Sequence, residues 1–331
     1  MSSSKVTSLD VADRAGVSRS AVSRVFTPGA SVSKKTAAKV REAAEALGYR
    51  PNALARSLLT GRSRIIGLVV AYLDNHFYPT ALEKLSNALE AQGYHVLVFM
   101  ASNKAGDIEA VATEILDYQV DGLVLASVAM TSDLAEKCRA QGVPVALFNR
   151  RQGDAGELAI VSDNRTGGEM AADYVVDRGF TRIGYIAGWN GASTQAERED
   201  GFTSRLVARG RSLFARGTGD FDPERAKDAA REMFSADTHP DVVFVANDYM
   251  AFQVMDVLRF ELGLKIPQDV AVIGFDNVPT ASWAPYDLTT IEQNAEAMIE
   301  LTVKHLIAAI NGTRLPSPAP VPVRLIERGS T

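Results

Sequence analysis

The chain has 331 residues, of which 46% are hydrophobic, 23% charged and 7% aromatic, and its formal net charge is −5. This composition is typical of a globular protein of about two domains and excludes disordered, collagen-like and low-complexity classes. The longest apolar stretch, Ile65 to Leu73, is far shorter than the ~20 residues that span a bilayer, and the N-terminus lacks the apolar region of a secretory signal. We therefore expect a soluble, cytoplasmic protein without a membrane partner.

The charge is distributed unevenly along the chain. Residues 1–64 hold twelve Lys or Arg against four Asp or Glu, a net +8, whereas the remaining 267 residues carry −13. A basic head on an acidic body favours contact with a polyanion through the head. Because short basic segments are often simply solvated, charge alone leaves nucleic-acid binding open.

The first 50 residues predict three short helices. Each would start after a Ser or Thr that can cap it, and the first and third would end at a glycine. The predicted helices follow Thr7, Ser18 and Ser33 and extend to Ala15, Phe26 and Leu47. Asp10 completes a capping box with Thr7. Leu9, Ala12 and Ala15 are expected to form the apolar face of the first helix.

The first two predicted helices, joined by a tight turn at Gly16, have the pattern of a helix-turn-helix. In that motif the second helix enters the DNA major groove, and its N-terminal side chains meet base edges and phosphates. Here these side chains belong to Arg19, Ser20, Ser23 and Arg24. The alternative is a generic three-helix cluster with surface arginines, which the spacing A-x-x-A-G-V-S followed by V-S-R-V disfavours.

Residues 50–61 predict a hinge. Asn52 can cap a helix of about seven residues that ends near Leu59, and so short a helix needs a partner to form. A second copy of the chain and a DNA minor groove could supply that partner, with Leu58 inserted as an apolar wedge between base steps. The alternative is a plain linker whose leucines pack on the body.

From Ile65 onward, β-branched runs alternate with segments of helix length, which predicts doubly wound parallel sheets. The predicted strands are 65–70, 95–100, 122–126, 143–148, 182–186, 213–216, 242–246 and 270–275, and the predicted helices are 79–92, 107–118, 131–141, 164–178, 195–209, 223–234, 248–262 and 294–311. The 267 residues after residue 64 are many for one such sheet, which favours two lobes with a cleft between them. Polar clusters follow several strands, where ligands of open α/β sheets bind. Carboxylates, amides, arginine and aromatic rings there favour a sugar-like ligand.

Residues 6–61 resemble the DNA-binding head and hinge of the LacI/GalR family of bacterial transcription regulators. The resemblance rests on VTSLDVADRAGVSRSAVSRVF, VSKKTAAKVREAAEALGYRPNALARSL and IIGLVV. The body resembles the effector domain of the same family, which is similar to periplasmic sugar-binding proteins. Its markers are NHFYP at 75–79, R-x-x-G-F at 198–202, GDFDP at 219–223, VANDYMA at 245–251, IPQDVAVIGFDN at 266–277, LTTI at 288–291 and RLIER at 324–328.

The resemblance implies a helix-turn-helix head over 1–49, a hinge over 50–61 and a two-lobed, periplasmic-binding-protein-like effector and dimerisation domain over 62–331. The predicted DNA contacts are Thr7, Ser8, Ser18, Arg19, Ser20, Ser23 and Arg24, with Ala55 and Leu58 from the hinge. By position, the effector contacts are Phe77, Tyr78, Asn149, Asp163, Arg198, Phe221, Asn247 and Asp276.

Three positions bear on the ligand that the resemblance implies. Ala192 stands where the purine-binding branch of the family has an arginine, which disfavours a purine. Arg198 favours a sugar-like ligand, although the purine branch has the same arginine. Asn149 replaces an aspartate common at its position, so the pattern of hydroxyls recognised is expected to differ.

Catalytic motifs are missing from the sequence. The four histidines, His76, His95, His239 and His305, have no metal-ligand spacing, and Cys138 has no second cysteine as a partner. Walker and nucleophile-elbow motifs are also absent. The sequence therefore predicts a protein that is not an enzyme and needs no metal or other cofactor.

We thus predict a ligand-responsive transcription regulator, with a repressor favoured. A homodimer would bind a palindromic operator, and a small sugar-like effector would set its DNA affinity. The chain has no heptad tail after Arg328, so we expect a dimer and not a tetramer. The alternatives are a soluble sugar-binding protein, disfavoured by the basic head, and an α/β sugar-modifying enzyme, disfavoured by the missing catalytic groups. The direction of the effector's influence stays open.

Overall fold

A computed structural model of the chain describes residues 6–27, 30–50, 62–71, 73–101, 105–128, 132–152 and 158–331. The chain divides into two compact units at the Arg64–Ile65 boundary. We call the first unit the head and the second the body. The predicted hinge helix, with Ala55 and Leu58, lies outside the described residues.

Three helices form the described part of the head, and their starts match the predicted caps. They are α1 (Ser8–Ala15), α2 (Arg19–Val25) and α3 (Lys34–Leu47). The Asp10 carboxylate accepts a hydrogen bond from the Thr7 backbone N–H at 2.7 Å, which completes the capping box. Ser18 and Ser33 accept from the backbone N–H groups of Ala21 and Thr36. These caps satisfy helix N–H groups that have no partner within the helix.

The core of the head forms where the three helices meet. Its buried side chains are those of Val11, Ala12, Val22, Val40, Ala43 and Ala44. The expectation for Leu9 was wrong, because its side chain is 56% exposed while Val11 is fully buried. The buried face of α1 is centred on Val11, Ala12 and Ala15, and at about 100° per residue Leu9 points roughly a third of a turn away from it.

The body contains two sheets, and the first defines lobe 1. Its strands are β1 (Ile65–Val70), β2 (His95–Met100), β3 (Gly122–Ala126), β4 (Val145–Phe148) and β5 (Leu158–Ile160). They pair in the order β2-β1-β3-β4-β5, and all the pairs are parallel. The helices that follow its first three strands are α4 (Phe77–Ala91), α5 (Ala105–Asp117) and α6 (Ser132–Ala140).

The second sheet defines lobe 2. Its strands are β6 (Ile183–Ala187), β7 (Leu213–Thr218), β8 (Val242–Val245), β9 (Ala271–Asp276), β10 (Thr289–Gln293) and β11 (Val323–Ile326). The order is β11-β10-β9-β8-β6-β7, with only β11 antiparallel to its neighbour. Its helices are α7 (Asn164–Asp177), α8 (Ser193–Ala208), α9 (Pro223–Phe234) and α10 (Asp248–Asp256), followed by a π-helical turn at Val257–Glu261 and a 3-10 helix at Pro279–Ser282.

The chain passes between the lobes three times. The first crossover is Val161–Asp163, and the second follows Gln293, after which α11 (Ala295–Ile310) packs on α4 and on β4 and β5 in lobe 1. The third crossover, residues 311–322, returns the chain to β11. Ser162 and Val321 form an isolated parallel bridge, so the first and third crossovers are hydrogen-bonded to each other.

The predicted fold class, a helical head and a two-lobed doubly wound body, is confirmed. Three strands were not predicted: β5, β10 and β11. They are short, and β10 and β11 carry polar residues within the strand, so neither forms a continuous apolar run. No helix in the described part of the chain is both long and apolar enough to cross a membrane.

Candidate functional site

A cavity of about 370 Å³ lies between the two lobes, at the carboxyl ends of their parallel strands. The lobe 1 side is lined by Asp74, Asn75, Tyr78, Ser127, Asn149 and Arg150, and the lobe 2 side by Thr194, Arg198, Phe221, Asp222, Pro223, Asn247, Tyr249 and Asp276. Loops that leave the strands at this edge bring these residues together from distant parts of the chain. The volume fits a small molecule of sugar size.

A buried ion pair forms part of the cavity wall. Arg198 Nη2 lies 3.5 Å from Asp276 Oδ1, and the two side chains are 3% and 4% exposed. The guanidinium also donates from Nε to Asn164 Oδ1 at 2.9 Å and from Nη1 to the Ala246 carbonyl at 2.6 Å, and it stacks on the Phe275 ring. Such a charged, hydrogen-bonded pair presents fixed donors and acceptors to a polar ligand.

Burial raises the pKa of two carboxyls at this site, those of Asp276 and Asp248. It raises the pKa of Asp276 to about 6, although the neighbouring Arg198 charge acts in the opposite direction. It raises the pKa of Asp248, which lies behind Asp276, to about 7, and the Asp276 charge adds to that increase. Asp248 does not line the cavity; its carboxylate accepts from Thr290 Oγ1 at 2.6 Å and from the Val278 N–H at 3.0 Å. Desolvation is the main cause in both cases.

The lobe 1 wall presents a buried hydrogen-bond acceptor that no other described residue satisfies. Asn149 Nδ2 donates to the Tyr78 hydroxyl at 3.2 Å, whereas Asn149 Oδ1 has no hydrogen-bond partner among the described residues. Asn149 adopts a left-handed backbone conformation with φ of 67°, which asparagine tolerates better than most residues. Burial also raises the pKa of Tyr78, so its hydroxyl stays protonated. A ligand hydroxyl could donate to the free amide oxygen.

Phe221 supplies the aromatic surface of the cavity. Its backbone and that of Asp220 are both left-handed, with φ of 59° and 53°, and this geometry places the ring in the cavity wall. The ring packs directly on Gly188, where a Cβ atom would overlap it. Only glycine at position 188 leaves room for the ring, so Gly188 and the strained turn together hold it in place.

Contacts across the cleft link the lobes at the edge of the cavity. The Arg151 N–H donates to Ser193 Oγ at 3.0 Å, and the Arg150 guanidinium lies 5.5 Å from the centre of the Trp189 ring. The position of Trp189 therefore makes its fluorescence a reporter of this region.

Six of the eight predicted effector residues line the cavity: Tyr78, Asn149, Arg198, Phe221, Asn247 and Asp276. Phe77 and Asp163 do not. Phe77 is buried against Phe148 and Tyr78, in stacked and edge-on contacts. Asp163 caps α7 by accepting from the Thr166 N–H at 3.1 Å and the Thr166 hydroxyl at 2.8 Å. The Phe77 ring is thus used in packing and the Asp163 carboxylate in capping a helix.

Eight lining residues were absent from the predicted set: Asp74, Asn75, Ser127, Arg150, Thr194, Asp222, Pro223 and Tyr249. Most of these residues lie in polar segments that follow predicted strands. Their position after a strand is therefore the sequence feature that could have identified them. Ser127 directly follows β3, in a left-handed conformation, and lies outside the motifs that carried the family resemblance.

Five of the predicted DNA contacts in the described part of the head lie at the starts of α1 and α2, namely Thr7, Ser8, Ser18, Arg19 and Ser20. Ser23 and Arg24 lie in the last turn of α2. Arg19 Nε donates to Ser8 Oγ at 3.1 Å, which joins the N-terminal ends of the two helices, and Ser18 and Ser20 share a hydroxyl hydrogen bond. Arg24 turns back to the Ser20 carbonyl. All are at least partly accessible, and Thr7, like Ser18, also serves as a helix cap.

The cavity has the chemistry of a binding site. Within the described residues, no group of His, Cys, Asp and Glu side chains has the geometry to hold a metal ion. The acidic, amide, hydroxyl and guanidinium groups of the cavity can donate to and accept from a polyhydroxylated ligand, and Phe221 can stack on its apolar face.

Comparison with known proteins agrees with both units. Residues 7–52 match the family described as bacterial regulatory proteins, lacI family, and residues 172–331 match the periplasmic binding protein-like domain. The ribose operon repressor of Escherichia coli (strain K12) is 32% identical over 329 residues, covering 97% of this chain and 98% of that protein. The HTH-type transcriptional repressor PurR of Pectobacterium carotovorum subsp. carotovorum (strain PC1) is 31% identical over 309 residues, covering 92% and 90%.

The structural comparison extends over almost the whole chain. The crystal structure of the lac repressor dimer bound to operator and the anti-inducer ONPF has a TM-score of 0.89 and 26% identity, with 99% of each chain covered. The match includes both the helical head and the two-lobed body. The chain therefore belongs to the lacI family of bacterial regulatory proteins.

Proposed function

We propose that this chain is a ligand-responsive transcription repressor whose head binds operator DNA and whose cavity binds a small, neutral sugar. The observation that carries the proposal is the buried Arg198–Asp276 pair in the wall of a sugar-sized cavity, in a chain that also has a helix-turn-helix head. A sugar offers adjacent hydroxyls that donate to a carboxylate and accept from a guanidinium, and a ring face that stacks on Phe221.

The cavity favours a sugar over a purine. Ala192, which stands where the purine-binding branch has an arginine, is buried and supplies no polar group at the start of α8. The free oxygen of Asn149 needs a donor, which a sugar hydroxyl provides. Ribose is the first sugar to test, because the relative with 32% identity is a ribose operon repressor.

The head supports DNA binding through accessible donors on a basic unit. Arg19 and Ser8 meet where two helix N-termini lie close together, and helix N-termini favour phosphate groups. Arg24, on the exposed side of α2, is assigned to a base edge. Ala55 and Leu58 are assigned to the minor groove between two hinges, as the family resemblance implies. A regulator of this kind acts on DNA in the cytoplasm.

A dimer is supported by the outer strand of the lobe 1 sheet. On β2, Val98 and Met100 are 44% and 49% exposed, and Tyr118 is exposed nearby, packed on Phe99. An edge strand with exposed apolar side chains is normally covered. We assign a second copy of this chain to that edge, and a palindromic operator would match the dimer symmetry.

The test begins with a thermal-shift screen of the full chain against D-ribose, other aldopentoses, aldohexoses, hypoxanthine and guanine. A sugar that raises the melting temperature is then added to mobility-shift assays on promoter fragments. We expect one sugar to change DNA affinity about 5- to 150-fold, the usual range of allosteric coupling. Stabilisation by a purine but by no sugar would refute the ligand assignment. Sugar turnover with unchanged DNA binding would instead support the enzyme alternative.

The head assignment has its own test. Arg24→Ala should weaken specific DNA binding by about 1–3 kcal/mol and relax the preference at one base pair. Arg41→Ala, at an exposed arginine that belongs to α3 and not to α2, is the matched control. The two variants should differ in sequence preference, and equal profiles would contradict the role of α2.

A further inference from the structure

We infer that Gln293 and Asn164 are positioning residues that join the Arg198–Asp276 pair to Ser162, the point where the three interlobe crossovers are tied together. This inference rests on the proposed function, since it describes how an occupied cavity would reach the hinge between the lobes. It concerns two residues that do not line the cavity.

One arm of the connection starts from the carboxylate. Gln293 Nε2 donates to Asp276 Oδ1 at 2.6 Å, and Gln293 Oε1 accepts from Ser162 Oγ at 2.7 Å. The Gln293 amide therefore uses both of its ends, one on the cavity ion pair and one on the first crossover. Gln293 is the last residue of β10 and begins the second crossover, so the same amide also links two crossovers.

The other arm starts from the guanidinium. Arg198 Nε donates to Asn164 Oδ1 at 2.9 Å, and Asn164 Nδ2 donates to the Ser162 carbonyl at 3.1 Å. The two arms thus converge on one residue, from opposite partners of the same ion pair. The helices α7 and α8, which carry Asn164 and Arg198, pack closely at this point, because a Cβ atom on Gly168 would overlap the Arg198 carbonyl.

Ser162 is fully buried and connects to the third crossover as well. It bridges to Val321, whose carbonyl accepts from the Asp163 N–H at 2.8 Å and whose N–H donates to the Val161 carbonyl at 2.8 Å. All three crossovers therefore meet at Ser162. Rotation of one lobe against the other must pass through these segments, because they are the chain connections between the lobes.

The physical consequence follows from charge. A hydrogen bond to an ionised carboxylate is about twice as strong as one to a neutral oxygen. When a ligand shares or neutralises the Asp276 charge, the bond from Gln293 weakens, and the amide that holds Ser162 relaxes. The cavity and the hinge are then coupled through buried amides, whose bonds are not screened by water.

The experiment measures hydrogen–deuterium exchange of the full chain without ligand or DNA. Asp276→Asn removes the charge while keeping an acceptor oxygen. We expect it to speed exchange of the Asp163 and Val321 amides about fivefold relative to those of β8, the effect of weakening a charged hydrogen bond to a neutral one. In a Gln293→Met background the same substitution should change that exchange less than about twofold.

Gln195→Met is the matched control, because Gln195 is equally buried but its described hydrogen bonds are to Tyr185, Gly188 and Glu199, and not to Ser162 or Asp276. In the Gln195→Met variant, Asp276→Asn should speed exchange of the Asp163 and Val321 amides as much as it does in the wild type. Ser162→Ala is run in parallel as a second break in the connection, with Ser330→Ala, another buried and doubly bonded serine, as its control. Comparison of Asp276→Asn in the Ser162→Ala and Ser330→Ala variants still tests the connection if Gln293→Met does not fold.

The inference is overturned if Asp276→Asn leaves the crossover amides unchanged, or if its effect is equal in the Gln293→Met and Gln195→Met backgrounds and in the Ser162→Ala and Ser330→Ala backgrounds. Because the measurement uses no sugar and no DNA, such a result would leave the proposed function standing. Conversely, failure of the sugar screen would not alter the exchange result.

Discussion

Replacement of Arg198 by methionine tests the buried ion pair most directly. Methionine keeps the aliphatic volume beside Phe275 but removes the charge and the donors to Asn164 and Ala246. Asp276 then stays buried without its cation. Breaking a buried pair from one side costs about 3–5 kcal/mol, mostly because the remaining charge is uncompensated. Arg231 pairs with carboxylates at the surface, so Arg231→Met should lower the stability by at most about 1 kcal/mol.

The pH dependence separates this mechanism from a simple loss of packing. In the wild type, burial raises the pKa of Asp276 to about 6 although Arg198 opposes the shift, so its loss must raise that pKa further. The folded Arg198→Met variant therefore keeps a proton that the unfolded chain releases near pH 4. Stability should fall as pH rises from about 5 to 8, by up to ~1.4 kcal/mol per unit.

Urea unfolding followed by tryptophan fluorescence is the assay, since both tryptophans, Trp189 and Trp283, lie in lobe 2. We expect Arg198→Met to be much less stable than wild type at pH 8 and closer to it at pH 5. Adding Asp276→Asn should restore part of the loss at pH 8, because the uncompensated Asp276 charge is then removed. Equal costs for Arg198→Met and Arg231→Met, or a cost independent of pH, would refute this account of the pair.

Three further outcomes are expected. Gly188→Ala should push the Phe221 ring from the cavity wall, weakening ligand binding by calorimetry about tenfold or more, while the melting temperature reflects an overpacking cost of about 1–3 kcal/mol; unchanged ligand affinity would show that the ring position is unimportant. Asp248→Asn removes a carboxyl whose pKa is raised to about 7, so the decline of the melting temperature between pH 5 and 8 should be shallower than in wild type, and equal slopes would contradict the shift. Gly16→Ala places a Cβ on a left-handed C-cap with φ of 63°, and should destabilise the head by about 1 kcal/mol, seen as faster amide exchange in α1; equal exchange would mean that the cap carries no strain.

The amino-acid sequence by itself determined the local elements of this protein. Capping residues at Thr7, Ser18 and Ser33 and glycines at 16 and 48 specify where the head helices begin and end, since these signals act within one turn of the chain. Apolar runs specify β1, β2 and β3 to the residue. The central strands β1 and β3 need such a run because they are buried on both faces, whereas β2 lies at the outer edge of the sheet and is partly exposed. The order of strands and helices then limited the body to doubly wound sheets.

Tertiary structure decided which side chains share the cavity and which are used elsewhere. Phe77 directly precedes the cavity residue Tyr78 in the sequence, yet its ring packs against Phe148 and does not line the cavity. The Asp163 carboxylate caps α7. The return of α11 to lobe 1, and the meeting of three crossovers at Ser162, join segments more than 100 residues apart, as in the Ser162–Gln293 bond. No local pattern records such pairings, because burial and hydrogen-bond partners depend on contacts that exist only after the lobes have folded.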